Sequence, residues 1–152
     1  MATVPLWTSP LPLRLVTFSN DHRSSRRAQH LHLFYELALV SGGRCLWQLG
    51  TRQRRVLLNS GEALLLPPRV LHREVVSPGE KARVAWLGFD FGGMAPGWCQ
   101  RPIPLGEDAS EITGYFEAIA REHHLADPRS QMRIGLALQS LLLLLERCAE
   151  GS

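Results

Sequence analysis

Between residues 13 and 92 short apolar runs alternate with turn residues, and beyond residue 108 the apolar spacing becomes that of helices. The runs fall at 13–18, 33–40, 44–49, 54–58, 63–66, 70–76 and 83–91. The breaks carry Gly42-Gly43, Gly50-Thr51, Asn59-Ser60-Gly61, Pro67-Pro68 and Pro78-Gly79. Short strands at this spacing predict a sandwich or barrel. Around the run 33–40, side chains alternate faces with period 2. One face carries Leu31, Leu33, Tyr35, Leu37 and Leu39, apolar throughout, so it should meet a second layer or the C-terminal helices and not water. The other carries His30, His32, Phe34, Glu36 and Ala38 and reads as the barrel interior.

In the helical part, Ile112, Tyr115, Phe116, Ile119 and Ala120 recur at helical spacing, with Asp108 or Ser110 as N-cap and Glu111 in the first turn. Asp127-Pro128 predicts a second start, Asp127 capping and Pro128 in the first helical position. Ile134, Leu138, Leu141, Leu142 and Leu145 then form one stripe, widened by Leu136, Leu143 and Leu144. So broad an apolar surface exceeds what one small barrel covers, so the stripe is expected to join two copies in a homodimer. The chain thus divides into a proline-rich arm (1–12), a barrel (13–107) and a helical dimerisation segment (108–152).

Composition adds little beyond a single domain: 152 residues, 45% hydrophobic. The net charge of +3 comes from the first third, where eight arginines between Arg14 and Arg55 face only Asp21 and Glu36. With Lys81 the only lysine, this reads as a solvated arginine-rich surface. Cys45, Cys99 and Cys148 are odd in number and far apart, which excludes a disulfide framework and a thiolate zinc knuckle. Prolines 5, 10 and 12 interrupt any signal peptide, and the apolar stretch 134–145 is too short to span a bilayer. A cytoplasmic protein without membrane contact is expected. No nucleophile constellation or phosphate loop occurs, and Gly42-Gly43 reads as a hairpin turn.

The chemistry lies in His30, His32, Glu36 and His72. If a later strand brings His72 beside the first trio, three imidazoles and a carboxylate converge. Such donors suit a divalent transition metal (zinc, nickel, iron or manganese), with open positions for water or a ligand. The same residues also suit a polar floor beneath an organic ligand. A buried, unpaired Glu36 costs several kcal/mol, so it needs a metal, a cation or donors, which Arg44 and Arg69 supply if they point inward. Trp47 and Phe34 are candidates for contact with a ligand, and Trp7 for a lid over it.

His-x-His-x3-Glu-x6-Gly followed by Gly-x5-Pro-x4-His resembles the paired motifs of the cupin superfamily. That resemblance implies a mostly β fold, a double-stranded β-helix or jelly-roll barrel, followed here by an antiparallel helix pair. Two positions depart from the pattern: Arg69 stands where the family usually has Gly, and Val76 where it has Asn. A narrower resemblance rests on Phe34-Tyr35-Glu36-Leu37, on Gly61 to His72 with its Leu-Pro-Pro turn, and on Ala85 to Phe91. These look like the sensor domain of AraC-type transcription regulators. The resemblance implies that a small-molecule effector binds in the barrel, that an N-terminal arm folds over it, and that the helices dimerise. DNA is then contacted by a further C-terminal domain not seen in this chain, so no direct nucleic-acid contact is expected. A non-enzymatic sensor is the reading; a stand-alone metal-dependent cupin oxidoreductase or isomerase is the alternative.

Overall fold

Residues 14–23, 28–76, 80–92, 94–125 and 127–151 are described by the computed structural model. The strands are β1 (Arg14–Arg23), β2 (Tyr35–Gly42), β3 (Arg44–Leu49), β4 (Arg54–Asn59), β5 (Glu62–Leu66), β6 (His72–Val75), β7 (Ala82–Asp90) and β8 (Ile103–Pro104). A 3-10 turn at Gly106–Asp108 leads into α1 (Ala109–Leu125), and α2 (Ser130–Gly151) follows. Every apolar run became a strand. The two-residue β8 carried no such run; its Pro104 fits an edge strand, where a missing N–H costs no ladder bond.

Hydrogen bonding sorts the strands into a five-stranded sheet, β1-β7-β2-β5-β8, and a three-stranded one, β4-β3-β6. All the pairings are antiparallel. Among the described residues the ladders form two facing sheets, the double-sheet form of a jelly roll. Gly42-Gly43 is therefore not a hairpin turn: it carries the chain from β2 in the large sheet to β3 in the small one. Gly43 has φ +66, and a Cβ there would sit 2.2 Å from the Lys81 carbonyl oxygen. Only glycine fits that crossing.

The large sheet is buried on both sides, as Tyr35 to Val40 of β2 show. Toward the small sheet it offers Ala38, Val40, Leu64, Leu66, Val84 and Trp86 to Cys45, Trp47, Leu49, Val56 and Leu58. Toward the helices it offers Leu37, Leu39, Leu65, Leu87 and Phe89 to Ile112, Phe116, Ile119 and α2. The apolar face of β2 thus meets the helices, though Leu31 and Leu33, which precede the strand, are 48% and 71% exposed.

The stripe assigned to a dimer interface is occupied differently. Ile134, Leu138, Leu141, Leu142 and Leu145 are at most 4% exposed within this single chain, in the core shared with α1 and the large sheet. At about 1.5–3 kcal/mol per fully buried side chain, they fasten the helices to their own sheet and are themselves covered without a second copy. Met132 and Leu136 point outward instead, 73% and 61% exposed. Asp127 does accept the Arg129 N–H at 2.8 Å ahead of α2, but Pro128 stays in the turn and Ser130 begins the helix. No helix among the described residues is long and apolar enough to cross a membrane.

Candidate metal and ligand centre

Inward residues of the two sheets meet at one end of the sandwich. On β2, Glu36 faces inward, paired to Leu66 on one side and to Gly88 on the other. Gly88 has no side chain, so that strand brings nothing inward beside the carboxylate. From the small sheet, His72 and Glu74 stand on the inward row of β6, opposite Leu49 and Trp47 of β3. Glu36, His72 and Glu74 are all buried.

His30 and His32 reach the same place by another route. Both precede β2, so strand alternation does not position them; backbone bonds do. His30 and His72 exchange N–H···O bonds of 2.9 and 2.8 Å, and the Arg69 N–H donates to the His32 carbonyl at 2.7 Å. The imidazole centroids of His30, His32 and His72 end up 4.3 to 5.3 Å apart. Phe34 stacks on His32 at 4.7 Å with an interplanar angle of 9°, bracing that ring.

Two of these rings are oriented as metal-ligating imidazoles are. Nδ1 of His72 lies 2.8 Å from the Val70 carbonyl, and Nδ1 of His30 lies 3.0 Å from that of Ala28. A carbonyl only accepts, so Nδ1 carries the proton and, in the neutral ring, Nε2 presents a lone pair. His72 Nε2 is 2.9 Å from Glu36 Oε2; in the neutral ring that nitrogen has no proton to donate, and neither atom is then hydrogen-bonded. Two lone pairs face each other there, and a proton or a cation must lie between them. His72 accordingly holds a proton above its usual range: burial opposes this, but hydrogen bonds to Glu36 and the Val70 carbonyl, with the charges of Glu36 and Glu74, outweigh it. His32 is shifted down, by burial first and then by its imidazole neighbours against the pull of Glu36, which favours the neutral, ligating form. The Glu74 carboxyl is raised by burial and by the nearby Glu36.

Ring nitrogens of His30, His32 and His72 lie within 4.8 Å of one another, and so do donor atoms of Glu36, His72 and Glu74. With His72 neutral, the unpaired atoms Glu36 Oε2, His72 Nε2 and Glu74 Oε2 suit a divalent ion. Glu74 was not foreseen in the sequence, although it lies two residues from His72 on a predicted strand and so on its face. The arginine candidates lie elsewhere. Arg44 faces outward because Cys45 and Trp47 face inward, and it is held by Glu80 at 3.0 Å. Arg69 is exposed, with φ 68. Neither arginine serves Glu36. Trp47 is fully buried between the sheets, its indole N–H without an acceptor. Trp7 and the rest of the arm lie outside the described residues.

A cupin-2 domain protein from Shewanella frigidimarina is similar over 46% of this chain and 66% of its own, at 20% identity and a TM-score of 0.41. YhaK from Escherichia coli is similar over 56% of this chain and 40% of its own, at 18% identity and a TM-score of 0.49. Hydroxypropylphosphonic acid epoxidase from S. wedmorenis, solved with fosfomycin, is similar over 50% of this chain and 44% of its own, at 18% identity and a TM-score of 0.45. The chain thus spans less than two thirds of each of these proteins. No curated protein matches it. Residues 13–142, reaching from the first strand well into α2, match the AraC-like ligand binding domain, and the chain belongs to that family.

Proposed function

We propose that this chain is the sensing domain of an AraC-type transcription regulator, binding a small-molecule effector over a divalent metal ion held by His30, His32, Glu36 and His72. The observation that carries this reading is the pair of imidazoles whose Nδ1 atoms are tied to backbone carbonyls, with His72 Nε2 left facing a buried carboxylate. In a member of this family, that arrangement belongs to binding. The metal would be zinc, nickel, iron or manganese, and it would act as a Lewis acid for an electron-rich group of the effector. His30 and His32 are only partly buried and form the mouth, while Glu36 and His72 form the floor. The Trp47 N–H, unpaired on the inward row of β3 opposite Glu74, offers a donor.

Sensing requires that the effector bind two arrangements of the domain with different affinity. The N-terminal arm with Trp7, and the helices, are the elements to be biased. A second copy would meet α2 along Met132 and Leu136, since the inner stripe is already covered. DNA contact is assigned to another domain of a longer, cytoplasmic gene product.

Elemental analysis of the purified protein tests the centre: about one divalent ion per chain is expected, and Glu36→Ala should abolish it. Unchanged metal in that variant would sink the ligand assignment. An immunoblot of the native cell against this domain tests the regulator. A product longer by a DNA-binding domain, about 100 residues on the scale of small domains, is expected. A product ending near Ser152, with turnover in an oxygen-uptake assay, would establish a stand-alone metal enzyme instead.

A further inference from the structure

We propose that Glu74 is a second carboxylate donor to the ion held by His30, His32, Glu36 and His72, so that the protein offers three nitrogens and two oxygens. The inference rests on the metal reading above and adds a residue outside the paired motifs that announced it. Glu74 is 2% exposed, on the inward row of β6 two residues beyond His72. Its Oε2 has no hydrogen-bond partner. Donor atoms of Glu74, Glu36 and His72 lie within 4.8 Å of one another, as do those of the three imidazoles, and the two groups share His72. The five residues therefore form one continuous set and not two separate clusters.

Two buried carboxylates this close need positive charge beside them. Among the described residues the nearby arginines do not bring it. Arg44 pairs with Glu80 on the outer face, Arg73 bonds Gln48 and Gln53, and Arg69 is exposed. A divalent ion answers both carboxylates and the imidazole lone pairs at once.

The second carboxylate has two consequences. Imidazole suits zinc, copper, iron and nickel, whereas added carboxylate oxygen moves the preference toward manganese. With five protein donors a six-coordinate ion keeps one position, so the effector would bind through a single atom. Four protein donors would leave two positions and admit a chelating ligand. Glu74 thereby selects both the metal and the class of ligand.

The test is calorimetric titration of the demetallated protein with Mn2+ and, separately, Zn2+, for the wild type, Glu74→Gln, Glu74→Asp and the outer-face control Glu80→Gln. Glu74→Gln should weaken Mn2+ by about 10–100-fold, the range for disturbing a metal's partners, and Zn2+ by distinctly less. Glu80→Gln should match the wild type. Water-proton relaxation by the bound Mn2+ supplies a second readout: Glu74→Gln should gain one exchanging water. Glu74→Asp, which keeps the charge, should recover part of the Mn2+ affinity and serves should the Gln variant fail to fold. Mn2+ and Zn2+ affinities that stay at wild-type values, or fall equally, in Glu74→Gln would overturn the role of Glu74 while leaving the four-residue site standing. A wild type that binds neither ion would overturn the metal reading itself.

Discussion

Toward the helices, the five-stranded sheet presents Leu37, Leu39, Leu65, Leu87 and Phe89, and all are closed over by Ile112, Phe116, Ile119 and the inner row of α2. Toward the small sheet it begins alike, with Ala38, Leu64 and Trp86, but the β2 row ends in Glu36 beside Gly88, across from His72 and Glu74. The first face contains only what packs. The second gives up part of its packing to hold charge away from water, an arrangement that costs stability unless something binds there. On the proposed function, one sheet keeps its structural and its binding duties on opposite sides.

Substitutions should break that contrast with opposite signs. Leu142→Ala on the helix side should destabilise by about 2–5 kcal/mol in urea unfolding, as deletions in closed cores do. A loss well below 1 kcal/mol would show that the helices do not seal that face. Glu74→Leu on the other side should leave the metal-free protein unharmed or more stable by about 1–4 kcal/mol, while weakening its hold on metal. A large destabilisation of the metal-free variant would contradict the picture of an uncompensated carboxylate.

Acidity sharpens the comparison further. The Glu74 carboxyl is raised above its usual value of 4.5, by burial and then by Glu36. The native protein therefore keeps a proton that the unfolded chain has lost. Its stabilising contribution is full below the ordinary value and is lost as pH rises through the native one. Thermal melts of the metal-free protein should thus fall as pH rises from the acid range, and Glu74→Gln should flatten that slope; parallel profiles would refute the assignment. Bound metal should reverse the trend, since it requires the carboxylate.

The smallest effect concerns thiols. Burial, and then the charge of Glu74, push the Cys45 thiol up to about 12, while Cys148 on the helix side is raised to about 11. Cys45 is 1% exposed and Cys148 only partly buried. Alkylation of the native protein near pH 8, about the ordinary thiol value, should label Cys148 before Cys45. Labelling of Cys45 at the rate of a free thiol would mean that the sheets part readily.

The strands were legible because alternation and turn chemistry agree along most of the barrel: the 44–49 run became β3 without change of bounds. The centre was legible in part. His72 and Glu36 lie on strands, where face follows from parity, and Glu74 follows by the same rule once β6 is recognised. His30 and His32 converge for a reason that parity does not contain, since their segment precedes β2 and is set by bonds to residues some forty positions away. Arg44 illustrates the reverse: its face was readable from Cys45 and Trp47, yet its charge drew it toward Glu36. The helix stripe showed how much surface needed cover but not what covered it. That depended on the area of a sheet assembled from strands distant in sequence.

The reciprocal bond between His30 and His72 makes an irregular segment behave as an edge strand. Because Arg69 fastens the same segment at His32, both rings sit on a backbone clasped to β6 before any ligand arrives. The His30 amide, in a stretch with no ladder of its own, should therefore exchange its hydrogen as slowly as an amide in mid-sheet. On the proposed function, recognition at this end of the sandwich begins from a mould already set.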